Sequence, residues 1–264
     1  MTTQDISLFD ITQVTTATFT DLYIERTFFS FIVSGSKRVL FPTGGELVGE
    51  ERDLLIFAPG AMVTMENRPI INQQYRAVGV SVSDALIEAV FPETPVTSGI
   101  KSTQMIQLIR AKPSEPARLL PLLRETLNRA DLPTCIRWHR LMEPLVWLRH
   151  EGYTLLTKTA DQPLGKVRRI LQTDLGRSWR AAEVAAQLAM SEATMRRVLA
   201  RSGQGFAKIL LHTRLERGLE RLQTTYDPIS EIALDVGFKT PSHFADAFKQ
   251  RFGISPRQIR TTED

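Results

Sequence analysis

A near-repeat, its two copies offset by 48 residues, constrains this chain more than any other feature. Val184-Ala185-x-x-Leu188-Ala189-Met190-Ser191 is matched by Ile232-Ala233-x-x-Val236-Gly237-Phe238. A second segment with helical periodicity follows each copy, Glu192 to Ala200 and Pro241 to Arg251. Met195 and Leu199 in the first correspond to Phe244 and Phe248 in the second, one residue further along. Two short helices joined by a tight turn, made twice, satisfy this pattern.

The spacing has a physical reason. In a helix-turn-helix the first helix needs a small residue where the second crosses it, and Ala185 and Ala233 fit that place. The turn needs a residue that tolerates positive φ; Gly237 suits it well and Ala189 less well. Apolar residues four apart pin the second helix to the core and leave its opposite face free. Ser191 and Thr240-Pro241 supply caps for the two second helices. Asp227-Pro228 is expected to cap the helix before Ile232, and Ser255-Pro256 to open a short final one.

The pattern Ala233-x-x-x-Gly237-Phe238-x-x-x-Ser242-x-Phe244-x-x-x-Phe248-Lys249-x-x-x-Gly253-x-Ser255-Pro256-x-x-x-Arg260 resembles the signature of the AraC/XylS family of bacterial transcription regulators. The first unit is similar from Trp179 through Ser191 and Gly203 to Arg214, so the resemblance covers about residues 163–261. It implies a cytoplasmic transcription factor, an activator working near RNA polymerase on double-stranded promoter DNA. Residues 206–222 are expected to form the helix joining the two units. Its length of about 25 Å is compatible with recognition helices in successive major grooves, ~34 Å apart.

Base readers belong on the face away from the core anchors. In the first recognition helix that face offers Glu192, Ala193, Arg196 and Arg197, and the resemblance places base contacts at Ala193, Arg196 and Arg197. Arginine can grip guanine O6 and N7 together, whereas one of the two could instead touch phosphate or pair with a carboxylate. The second helix offers Ser242, His243 and Asp246; Asp246 departs from the family's basic or small residue and hints at a looser contact. Lys249, Arg260 and the helix starts at Ser191 and Thr240 read as phosphate clamps. Gly218, where the family has alanine, should cost about 1 kcal/mol in helix propensity. Arg221 stands where leucine is frequent.

Charge supports this division. Residues 1–160 carry 16 Lys+Arg against 17 Asp+Glu, and residues 161–264 carry 17 against 12, mostly arginine. An asymmetric basic half suits a polyanion partner or, equally, a solvated surface. No apolar run approaches a membrane span, and Met1 to Asp5 lack the features of a secretory signal. The single cysteine, Cys135, rules out an internal disulfide framework and is too few for an Ada-like repair enzyme's reactive cluster.

The whole reads as an α+β chain of two domains. Residues 1–160 form a cupin-like β-barrel or sandwich with helices at about 101–150, and residues 163–264 an all-α double helix-turn-helix domain. Strands are expected at 22–24, 28–33, 38–41, 53–57 and 75–82, separated by Ser34-Gly35-Ser36, Pro42-Thr43-Gly44-Gly45 and Pro59-Gly60. Segments 101–111 and 115–150 have helical periodicity and either cover the barrel or present an apolar face to a second copy of the chain. Thr157 to Pro163 reads as a linker. Phe29, Phe31, Phe41 and Phe57 are candidates to line a small-effector pocket; a regulatory protein or homodimerisation are the alternatives. The four histidines (139, 150, 212 and 243) all lie beyond the expected barrel, so no metal, cofactor or enzymatic site is expected.

Overall fold

The computed structural model describes residues 6–41, 44–91, 105–156, 163–201 and 203–260. The chain divides into two compact units, Met1–Lys158 and Thr159–Asp264.

Unit 1 is a sandwich of two antiparallel sheets. Its strands are β1 (Ile6–Gln13), β2 (Ala17–Tyr23), β3 (Thr27–Ser34), β4 (Ser36–Leu40), β5 (Glu46–Gly49), β6 (Leu54–Phe57), β7 (Met62–Arg68), β8 (Tyr75–Val82) and β9 (Ile106–Ile109). One sheet has the order β1-β8-β3-β6-β9 and the other β2-β7-β4-β5, so each keeps two edges and no closed barrel forms among the described residues. The helices are α1 (Asp84–Val90), a single turn α2 (Ala111–Ser114), α3 (Leu119–Asn128) and α4 (Thr134–His150). Phe29, Phe31, Leu54, Ile56, Val78 and Val80 from the five-stranded sheet share one apolar core with Leu86 and Ile87 of α1, Leu123 of α3 and Leu141, Leu145 and Leu148 of α4. That sheet is thus buried on both faces, which explains the unbroken apolar run of β6 and the run of β3, interrupted inside only by the buried Ser30.

Several expectations need correction. The segment 101–111, read as helical, contains β9, paired antiparallel to β6. Residues 106–109 are buried on both faces of the sheet, and such a strand cannot be told from a buried helical turn by periodicity. Residues 101–104, Pro42-Thr43 and the linker segment 157–162 lie outside the described residues. β1, β5, β7 and most of β2 go beyond the expected strands; polar residues such as Asp10, Thr18, Glu46 and Glu66 interrupt their apolar pattern. The four phenylalanines do not line one pocket. Phe29 and Phe31 enter the core shared with the helices, whereas Phe57 is paired in register with Phe28, its ring 5.8 Å from that of Phe28. Successive side chains alternate across a strand, so Phe57 lies on the opposite face of the sheet from Phe29. Phe41, half-buried, follows β4 in the other sheet.

Unit 2 is all helical: α5 (Pro163–Gln172), α6 (Ala181–Gln187), α7 (Glu192–Ala200), α8 (Phe206–Thr224), α9 (Ile229–Asp235), α10 (Pro241–Phe252) and α11 (Pro256–Arg260). The 19-residue α8, about 28 Å long, is the joining helix, with Ile209, Leu215, Leu219 and Leu222 buried. It packs against α5, α9, α10 and α11. No helix of the described residues is long and apolar enough to cross a membrane.

Candidate nucleic-acid interface

The two turns of unit 2 are closed by the same pair of hydrogen bonds. In the first, Met190 N–H donates to Ala185 O (3.1 Å) and Ala189 N–H to Ala186 O (3.0 Å). In the second, Phe238 N–H donates to Ala233 O (3.0 Å) and Gly237 N–H to Leu234 O (2.9 Å). Both are Schellman endings with the left-handed residue at the same place, Ala189 at φ 53° and Gly237 at φ 88°. Each following helix is then capped: Ser191 Oγ accepts from Thr194 N–H (3.1 Å) and Thr240 Oγ1 from His243 N–H (3.2 Å).

The core anchors fall where the repeat puts them. Ala185, Met195 and Leu199 are buried in the first unit, and Ala233, Phe244 and Phe248 in the second. The opposite faces are open. On α7, Arg196 and Arg197 are exposed, and on α10 so are Ser242, His243 and Lys249. Ala193 and Asp246 stand on the same faces. Arg196 is paired with Glu192, one turn back, while His243 packs edge-on against Phe238 at 5.4 Å.

Arg260 and Asp227 both make contacts inside the unit. Arg260 is half-buried, and its guanidinium donates to Thr225 O (3.4 Å), which ties it to the end of α8. Asp227 does not cap α9, whose N-terminus begins at Pro228 without a side-chain cap. Its carboxylate instead takes Arg221, which also reaches Asp235 (2.6 and 2.5 Å). The Arg221 guanidinium holds the Asp227 carboxyl below the usual range. Arg221 therefore ties α8 to α9 at the place where leucine would pack. Ser255 behaves as expected, with its hydroxyl accepting from Gln258 N–H at the start of α11.

Sequence reasoning missed the parts that join the two halves of the domain. Glu216 of α8 binds Arg168 of α5 and Arg251 of α10, and all three side chains are almost wholly buried. Arg214 donates to Leu175 O (2.9 Å) and Arg177 O (3.0 Å), beside the backbone of Gly237. These contacts join residues 35 to 48 positions apart, and no local spacing signals them.

A further missed group lies in unit 1. Lys37 of β4 is 1% exposed, inward by the same alternation that buries Val39. Its Nζ donates to Asn67 Oδ1 (2.6 Å), directly opposite on β7, and lies 5.4 Å from the centre of the Tyr75 ring. Burial pushes the Lys37 ammonium down to about 7. Gln13, opposite Tyr75 in the other sheet, is also buried, and its side-chain amide has no hydrogen-bond partner among the described residues. The turns at this end of the sandwich expose Val14, Ile70 and Ile71.

The fold and the paired helices define a two-unit helix-turn-helix domain following a β-sandwich. The helix-turn-helix domain family matches residues 184–262. The chain is 38% identical over 97 residues to the transcriptional regulator SirC of Salmonella typhimurium, covering 37% of this chain and 33% of that protein. It is 33% identical over 96 residues to the transcriptional activator AggR of Escherichia coli, covering 36% of each. The chain thus spans about a third of the length of the curated relatives it matches. Over nearly its whole length it has the fold of ToxT from Vibrio cholerae, solved with a bound unsaturated fatty acid: TM-score 0.73, 12% identity, 97% of this chain and 95% of that one. Another ToxT structure, bound to (E)-4-(8-methylnaphthalen-1-yl)but-3-enoic acid, aligns with a TM-score of 0.71 at 13% identity, over 96% of this chain and 97% of that one. The helix-turn-helix match lies within the C-terminal unit, and over about a third of its length the chain is similar to these transcription regulators.

Proposed function

We propose that the protein is a sequence-specific DNA-binding regulator of transcription, an activator acting in the cytoplasm beside RNA polymerase. The observation that carries this reading is the duplicated turn, which presents two open helix faces, α7 and α10, from one domain. Ala193, Arg196 and Arg197 are assigned to one major groove, and Ser242, His243 and Asp246 to the next. Clamping of the DNA backbone falls to Lys249 and to the capped helix starts at Ser191 and Thr240, whose N–H groups suit phosphate.

The sandwich unit is read as the sensor. A fully enclosed ammonium at Lys37, with Gln13 and Tyr75 nearby and an apolar rim of Val14, Ile70 and Ile71 at the same end, supports an effector that pairs a carboxylate with an apolar body. The carboxylate would use the Lys37 donor that neither Asn67 Oδ1 nor Met65 Sδ (3.6 Å) takes. A long-chain unsaturated fatty acid is the first probe. It should raise the melting temperature of the wild type and leave that of Lys37→Met unchanged. Equal shifts in both would remove Lys37 from the site.

The regulator itself is tested by selecting bound sequences from random duplex DNA with the full chain, with and without the fatty acid, at near-physiological salt. Two enriched blocks about one helical turn apart are expected. One block would leave α10 without a reading role, and no enrichment under either condition would overturn the proposal.

A further inference from the structure

Resting on the DNA-reading role of α7, we infer that Glu192 is a specificity-determining positioning residue, which aims the Arg196 guanidinium at a guanine. Glu192 opens α7 and Arg196 stands one turn later on the same face. Arg196 Nε and Nη2 both donate to Glu192 Oε1, at 2.8 and 2.6 Å. A guanidinium is planar and carries five N–H groups in a fixed fork. The pair therefore holds its side edge and turns the end edge, Nη1 with the second Nη2 N–H, away from the carboxylate. Two parallel donors on that edge match guanine O6 and N7 in the major groove.

Stability does not account for the pair. The Arg196 side chain is 66% exposed, and exposed ion pairs of this kind contribute little to folding. What the pair does is hold a long, rotamer-rich side chain in one orientation before DNA arrives, which lowers the ordering cost of the contact. It also neutralises a carboxylate that would otherwise face phosphate. Arg197 provides the contrast: it is exposed, and no carboxylate of the described residues orients it before DNA arrives. Ala193, beside Glu192, is small enough to let the helix approach the bases.

The test measures dissociation constants of the full chain for the selected duplex and its single-base variants at fixed salt. Glu192→Ala should lower discrimination at one guanine by about tenfold while binding to unrelated duplex holds or strengthens. Arg196→Ala should lose the same preference, and adding Glu192→Ala to it should change that preference no further. Glu192→Gln keeps an acceptor without the charge and should retain most of the discrimination. Intact discrimination in Glu192→Ala would overturn the inference, as would equal losses in the Ala and Gln variants, which would indicate charge and not aim. If the wild type enriches no sequence, the DNA-reading role falls first; a selective wild type indifferent to Glu192 sinks the aiming role alone.

Discussion

The ring of Phe244 lies directly against the backbone of Gly218: a methyl group placed on Gly218 would meet Phe244 Cε2 at 2.8 Å and Cζ at 2.9 Å. Helix α10 therefore sits on α8 through a contact that only glycine admits without movement. From sequence alone this glycine reads as a defect in a helix. In the structure it is the seat of a core anchor.

Gly218→Ala should accordingly destabilise unit 2. Helix propensity alone would favour alanine by about 1 kcal/mol. Overpacking a buried ring contact costs roughly 1–3 kcal/mol, so a net loss of up to about 2 kcal/mol is expected. Denaturant unfolding of the two proteins measures it, and a more stable variant would mean that Phe244 shifts easily.

The two equivalent turn positions should respond in opposite directions. Ala189 holds φ 53°, a conformation that costs a non-glycine residue roughly 1 kcal/mol, so Ala189→Gly should be neutral or stabilise by up to about 1 kcal/mol. Gly237→Ala places a methyl group 2.1 Å from Leu175 O and against the Arg214 guanidinium, and should cost more than about 3 kcal/mol. Melting curves of the two variants decide it. Similar shifts would show that the turns are not equivalent in strain.

Where sequence suffices, the information is local. The turn residues, caps and anchors of α6–α7 and of α9–α10 each lie within a single helix pair, and one crossing dictates their spacing. Lys37 is illegible because a lysine in a strand normally marks the solvated face. The candidate pocket of four phenylalanines does not form because residue type does not reveal which face of a doubly buried sheet a side chain takes. Arg221 looks like a poor substitute for leucine until Asp227 and Asp235 are placed beside it.

Glu216→Gln should be among the most damaging single changes in unit 2. Arg168 and Arg251 have side-chain exposures of 3% and 5% and share this one carboxylate. Removing its charge leaves two buried cations without their shared counter-charge, and breaking buried pairs in this way typically costs about 3–5 kcal/mol. Replacing all three with apolar residues of similar size should cost much less. Chemical denaturation of both variants checks the contrast; a mild Glu216→Gln would mean that water reaches the cluster.

Lys37 gives the sandwich a pH dependence whose sign follows from its burial. Its amine titrates near 7 in the folded unit and near 10.5 in the unfolded chain. Between those values the unfolded state binds one more proton, so stability should rise as pH increases from about 7 to about 10. Below about 7 both states are protonated and the full cost of burying the ammonium remains. Lys37→Met keeps the bulk without the charge and should flatten the rise over that window. Unfolding of wild type and variant from about pH 6 to about pH 10 compares the two slopes. Parallel profiles, separated by a constant offset, would show that Lys37 keeps an ordinary titration and that water or a counter-charge reaches it inside the sandwich.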